Sequence, residues 1–470
     1  MKAIEPTLYY PDLLYRDGSF VSGVGVLVDA GGEIESVGPA DAGHAVKTVR
    51  LQGRAMLPGL VNGHSHSFQR LIRGRAENRG ASGDDFWTWR NAMYRAAGAL
   101  GADDVYDVAR MAFLEMTLAG ITAVGEFHYL HKKQDGTPYD DPNLLAKIVI
   151  AAAQSVGLRI CLLRVAYLRA GYQLPPNAGQ LRFYETLPEY LKNTEALANE
   201  LSGGADMVSM GLAPHSIRAV PLDALKEIAN RGDARRLPVH IHAAEQMAEN
   251  AACEREYGAT PVQLFSRNGL LSERSTLVHA IHVNAEEMEA IAAAGATVCS
   301  CPTTERNLGD GIIDADVAIG KGIGFSFGSD SQATIDLLED ARELDYHLRL
   351  QRQKRVILDR IDGVDLSQRL FEYATAGGAK SLGLHGGTLT AGACADFFTV
   401  DLKDVSIAGS SADELLSSIV FSLTRAAVRD VVVGGEWVLA DGKHALEEEI
   451  VNKYCEVAAR VGSKSATGGL

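Results

Sequence analysis

The stretch MLPGLVNGHSH, residues 56–66, carries the reading of the whole chain. It is a short apolar run that ends in two histidines spaced two apart. Alternate residues of a strand face the same side, so His64 and His66 can reach one ion from a strand end. Seven more apolar runs follow it: GITAVGEFHYL (120–130), LRICLLRVAYL (158–168), DMVSMGLAPHS (206–216), LPVHIHAAE (237–245), STLVHAIHV (275–283), GATVCSCP (295–302) and GIGFSFGSDS (322–331). Each is short, apolar or β-branched, and trailed by a helix-like segment. Eight such units predict an α/β protein built on a (β/α)8 TIM-like barrel. Polar residues gather at the C-terminal ends of the runs, where barrel active sites lie. There the sequence supplies His240, His242 and Glu245, then His279 and His282, then Asp330. Any one of these could be a hydrogen-bonded barrel or loop residue, but ligand-type side chains at four strand ends point jointly to a metal site.

Outside the barrel the texture changes. SFVSGVGVLVD, GEIESVG and TVRLQGRAMLPG read as short strands broken by glycine turns, and GTLTAGACADFFTVDL and RDVVVGGEWVLADG repeat the pattern near the end. These flanks are expected to pair into a small β-sandwich. Its first part would be residues 1–57 and its second 386–445, around a catalytic barrel at 58–385. A C-terminal helix and mobile tail would fill 446–470.

The formal charge is −15, from 60 acidic and 45 basic residues. That argues against nucleic acid, which needs a basic face, and it requires any anionic substrate to be held by locally placed arginines. No window reaches the roughly 20 apolar residues of a membrane span. The first residues lack a basic-then-apolar signal pattern, so a cytoplasmic enzyme is expected. The six cysteines form no CxxC pair, which suggests reduced thiols, and Cys299 and Cys301 sit in an apolar run that reads as a buried strand.

PGLVNGHSH, HxHxxE, VHxxH and the closing GSD resemble the aminohydrolase branch of the amidohydrolase superfamily. The resemblance implies His64, His66, His242 and Asp330 as metal ligands, with His242 chosen over His240 because the family's glutamate stands three residues after its ligand. Binuclear members carry a bridging lysine on the fourth strand; VSMGLAPHS has none, so a single divalent ion is implied. Imidazole and carboxylate ligands favour Zn2+, with iron and manganese left open. The resemblance further implies that Asp330 accepts a proton from water, that His279 orients it, and that Glu245 shuttles the proton to a leaving nitrogen.

More specific still are HSFQR, FWTWR..MY, EFHYLH, PHSIRAV, HIHAAEQ and ERNLGDG. Together they resemble the N-formimino-L-glutamate deiminases, which implies a small anionic substrate with two carboxylates, turned over in histidine breakdown. Bidentate arginine suits carboxylates, and the resemblance, taken motif by motif, implies Arg90 and Arg218 as the grips. Tyr129 and His215 would add hydrogen bonds, and Gln69 would lie near the formimino end. Asn307 and Asp310 are expected to shape a loop, and Arg73, Arg75, His128 and His131 have no assigned role. Analogy also suggests a homodimer. The alternatives are a deaminase acting on a purine, pterin or S-adenosylhomocysteine-like ring, a non-catalytic scaffold, and hydrolysis that releases formamide.

Overall fold

The computed structural model describes residues 4–39, 47–77, 86–202 and 207–467, with backbone alone for 86–88 and 462–467. Its centre is a ring of eight strands hydrogen-bonded in chain order. They are β1 (Leu60–Ser65), β2 (Ile121–His128), β3 (Arg159–Ala166), β4 (Val208–Pro214), β5 (Val239–Ala243), β6 (Ser275–His279), β7 (Thr297–Ser300) and β8 (Gly324–Phe327). Neighbours along the ring are parallel. The ring closes at its upper rim, where Asp330 N donates to His64 O at 3.0 Å and His66 N donates to Asp330 O at 3.1 Å. All eight strands coincide with the runs read from sequence. Helices cover the outside and side chains fill the inside, so β2, β3, β6 and β7 are buried along their whole length. Burial on both faces is why these runs are continuously apolar and do not alternate.

The flanking segments meet in a second, mixed sheet. Its strand order is Glu436–Leu439, Val428–Val433, Phe397–Asp401, Lys47–Pro58, Thr7–Arg16, Val24–Val28 and Ile34–Pro39, with Ser19–Val21 added beside Thr7–Arg16. N- and C-terminal halves join where Phe397–Asp401 pairs antiparallel with Lys47–Pro58.

Lys47–Pro58 runs directly into β1, and the junction leaves no room. A Cβ on Gly59 would come within 2.1 Å of the Thr122 hydroxyl. Gly59 N donates to Asp396 O at 3.0 Å, and the Asp396 carboxylate takes two hydrogen bonds from buried Arg159 at 2.8 and 3.0 Å. This bidentate pair ties the second sheet to the floor of the barrel. The C-terminal helix, Glu447–Thr467, lies against the helix Ala102–Leu118 through Arg110–Glu449 and Arg460–Asp104 ion pairs. It also places Tyr454 under Arg70. No helix among the described residues is long and apolar enough to cross a membrane.

Candidate metal centre and substrate pocket

The two histidines at the end of β1, His64 within it and His66 just past it, and the aspartate after β8 are brought together by the backbone bonds that close the ring. Asp330 takes a left-handed φ of 43°, and His279 at the end of β6 and Ala280 just after it stand at 72° and 49°. Each such non-glycine conformation costs on the order of 1–3 kcal/mol and persists only where surrounding contacts enforce it. At Asp330 the enforcement is the pair of bonds between its backbone and those of His64 and His66, which turn the carboxylate inward, and Ala280 N is tied to Ala243 O at 3.0 Å. One ligand atom from each of His64, His66, His242 and Asp330 lies within 4.8 Å of all the others. His64 Nε2 is 3.2 Å from His66 Nε2, and these atoms are 3.4 and 3.2 Å from Asp330 Oδ1.

The hydrogen bonds around the cluster fix its chemistry. His66 Nδ1 faces Phe127 O at 3.0 Å and His242 Nδ1 faces His215 O at 3.0 Å. A carbonyl only accepts, so Nδ1 carries the proton in both rings and each Nε2 presents a lone pair to the centre. Burial pushes the His64 imidazole down to about 3, and His242 well below its ordinary value. Burial favours a neutral Asp330, yet the histidine rings packed around it hold the carboxyl well below the usual range. Neutral imidazoles and an ionised carboxylate converging on one point are the donor set of a mononuclear divalent-metal site, and these residues fit such an ion.

Beneath the HSHS segment sits a residue the sequence did not flag. Glu126 Oε1 accepts from Ser67 N and Oγ at 2.8 and 2.6 Å, and its Oε2 accepts from Ser65 Oγ at 2.7 Å. It locks the turn that carries His66. His240, two residues before His242, faces the same interior one layer deeper, where its Nε2 lies 2.7 Å from Ser381 O; it is outside the four-residue cluster.

Glu245 and His279 stand beside the cluster. His279 Nε2 is 3.7 Å from Glu245 Oε1 and 3.8 Å from Asp330 Oδ2. Burial raises the Glu245 carboxyl above its ordinary value, against the pull of His279. Burial alone would lower His279, but Glu245 and Glu305 raise it well above the usual imidazole range.

Above the cluster opens a small cavity, and Gln69, Arg90, Tyr129, His215 and Arg218 all line it. Gln69 Nε2 donates to Tyr129 Oη at 2.8 Å, while Gln69 Oε1 is buried with no protein partner among the described residues. An N–H donor on a ligand would satisfy it. Arg90 Nη2 donates to Tyr167 Oη at 3.2 Å and Ala170 O at 3.4 Å, and its guanidinium lies over the Tyr94 ring. Burial works against the Arg218 charge, but Tyr167 and Glu249 offset it and the guanidinium is held above its ordinary value. His215 is pushed well below its ordinary value by burial and by Arg218, so it is neutral.

Tyr94 and Tyr167 line the cavity as well, both held by Gln180 Nε2 at 3.0 Å. Tyr94 closes the FWTWR..MY motif but was given no role from sequence, and Tyr167 and Gln180 lie outside the motifs. Trp87, the first tryptophan of FWTWR..MY, has only its backbone among the described residues. Asn307 binds Glu77 at 2.9 Å; Asp310 holds Gln246, and its carbonyl oxygen lies 2.8 Å from His282 Nε2. Arg73, Arg75 and His131 serve the scaffold: Arg73 pairs with Glu115, Arg75 donates to Ala458 O, and His131 Nε2 lies 2.9 Å from Val165 O.

A barrel of this topology, with a His3Asp cluster at its C-terminal mouth and a second sheet from both chain ends, defines an amidohydrolase. Residues 55–438 match the amidohydrolase family, and the chain belongs to it. It is 39% identical to the formimidoylglutamate deiminase of Pseudomonas aeruginosa, over 86% of this chain and 89% of that protein. It is 27% identical to a 5-methylthioadenosine/S-adenosylhomocysteine deaminase of Pyrococcus abyssi, over 86% and 87%. Among solved structures, an amidohydrolase from Brucella melitensis superposes with a TM-score of 0.89 at 33% identity, covering 97% of this chain and 99% of that one. A zinc-bound adenosine deaminase from Xanthomonas campestris, at 22% identity, shares the fold with a TM-score of 0.83 over 97% and 98%.

Proposed function

We propose that this chain hydrolyses N-formimino-L-glutamate to N-formyl-L-glutamate and ammonia, a step of histidine breakdown, with one zinc ion at the His64–His66–His242–Asp330 cluster. The observation that carries this reading is the placement of Arg90 and Arg218 on the wall of the same cavity whose floor is that cluster. In a chain of net charge −15, two guanidiniums directed at one small cavity suit a substrate with two carboxylates. The name of the Pseudomonas relative supports the same substrate.

The ion, held by three neutral imidazoles and a carboxylate, supplies Lewis acidity that brings the pKa of water toward about 7. Asp330 Oδ2 and His279 Nε2 flank the approach to the cavity floor, the carboxylate to accept a proton and the imidazole to orient the attacking oxygen. Glu245, beside His279, has a carboxyl raised by burial, as suits a group that takes a proton and gives it up again. It delivers protons to the terminal nitrogen. The water oxygen bonds to the formimino carbon, the bond from that carbon to the terminal nitrogen breaks, and both water protons leave on ammonia. Arg90, Arg218 and Tyr129 grip the amino-acid portion, while Gln69 Oε1 accepts from a substrate N–H.

The test is ammonia release by zinc-loaded protein from formimino-glutamate, compared with adenosine, S-adenosylhomocysteine and guanine, with products identified by mass spectrometry. N-formyl-glutamate is the expected product. Turnover of a ring alone would overturn the substrate, formamide would overturn the bond assignment, and no turnover of anything would leave a scaffold.

A further inference from the structure

Glu305 lies behind His279, outside the cavity lining. Its Oε1 sits 3.3 Å from His279 Nδ1 and accepts from Cys301 N at 2.8 Å; its Oε2 accepts from Ser300 Oγ at 3.2 Å. The carboxylate is therefore anchored by the turn after β7, and it addresses the ring nitrogen that points away from the cavity. His279 itself sits at a left-handed φ of 72°, so its backbone alone does not favour this position. An acceptor on Nδ1 keeps the proton there, which turns Nε2 toward Glu245 and Asp330.

We infer that Glu305 is a positioning residue for the hydrolysis: it sets the orientation and Nδ1-protonated form of His279 without touching substrate. Nothing in HSH, HxHxxE or GSD points to it, because it lies on the short helix Pro302–Leu308 after the next strand and acts through a second side chain. The alternative chemistry of this spot is a second cation, since ligand atoms of His279, Cys301 and Glu305 also lie within 4.8 Å of one another. The hydrogen bonds argue against that. Oε1 is engaged by the Cys301 amide and the His279 ring and Oε2 by Ser300 Oγ, so protein donors already occupy the carboxylate.

The inference rests on the deiminase reading and is tested on zinc-loaded wild type, Glu305→Ala and Glu305→Gln with formimino-glutamate. Glu305→Ala should lower kcat by roughly 10- to 100-fold, the range for lost orienting partners, while KM stays within about threefold. The metal content should remain one ion per chain. Glu305→Gln keeps an oxygen that can accept from both Nδ1 and the Cys301 amide, so it should recover at least about threefold of the loss. If the alanine chain does not fold, Glu305→Leu, closer in volume, takes its place. The inference is overturned by an unchanged kcat in the alanine or leucine chain, by loss expressed in KM alone, or by a glutamine chain no better than the alanine or leucine one. A second ion present in wild type and missing from the glutamine chain would overturn it in favour of a cation site. Wild-type protein that fails to turn over formimino-glutamate would sink the substrate assignment, a result separate from all of these.

Discussion

Arg218 is buried against the cost of desolvating a guanidinium, and its neighbours explain how it stays charged. Tyr167, Glu249 and Glu245 lie close enough to hold the cation. Such a group is expensive to keep and strongly selective for an anion. Arg218→Ala should therefore reduce kcat/KM for formimino-glutamate by roughly 10- to 100-fold, about 1.5–3 kcal/mol for a hydrogen bond to a charged group. Steady-state ammonia release checks this, and the loss should fall mainly on KM. Glu245→Gln should behave in the opposite way. It removes a proton carrier beside the cluster and none of the four ligands, so kcat should drop roughly 100- to 10,000-fold. Metal analysis of the same sample should find the ion retained.

At the level of strands and turns, the site depends on two segments approaching closely at the ring's closure. A Cβ on Gly328, one residue past β8, would come within 2.7 Å of His64 Cβ, 2.8 Å of His64 O and 3.0 Å of Cys301 Sγ. The first two contacts are to the strand that carries the ligands, and backbone cannot step aside as a flexible side chain can. Gly328→Ala should cost about 1–3 kcal/mol by overpacking and should splay His64 from Asp330. A lower melting temperature together with faster zinc loss to a chelator would bear this out; zinc retention equal to wild type would not. The glycine was visible in FGSDS, but its neighbour across the ring was not, because His64 lies more than 260 residues away in the chain.

For the whole molecule, buried ion pairs outside the cavity set the response to acid. Arg164 and Glu185 are both buried and joined at 2.7 and 3.0 Å. Burial alone would raise Glu185, but His131 and Arg164 bring its carboxyl down to about 2. Burial lowers His131 to about 4. Both folded values lie below the ordinary ones, so the unfolded chain binds these protons more readily. The stability they contribute is complete above about pH 6.5 and is lost on acidification, between about 6.5 and 4 for His131 and between about 4.5 and 2 for Glu185. Urea midpoints should fall steadily from pH 7 to pH 3.5. Arg164→Met should remove part of that dependence at the Glu185 end while lowering stability at pH 7, because it leaves Glu185 charged and buried alone.

The sequence by itself determined the barrel and the site's innermost ring. Both are written in short-range periodicity: apolar runs buried on two faces, and histidines spaced so that a strand presents them together. The side chains of His64, His66, His242 and Asp330 are all capable of binding a metal, and the resemblance to a family picked these four from the strand-end candidates. Arg90 and Arg218 were legible only because their local motifs resemble a family. What tertiary structure alone decided is which ordinary residues surround them. Glu126, Tyr94, Tyr167, Gln180 and Glu305 carry no sign of their roles in local sequence, even where a motif contains them, and each acquires its place by meeting a partner brought from another strand or loop. His240 and His242 make the same point, since they share one strand face. Depth along the barrel, fixed by how eight strands close into a ring, separates the histidine at the metal cluster from the one bound to Ser381.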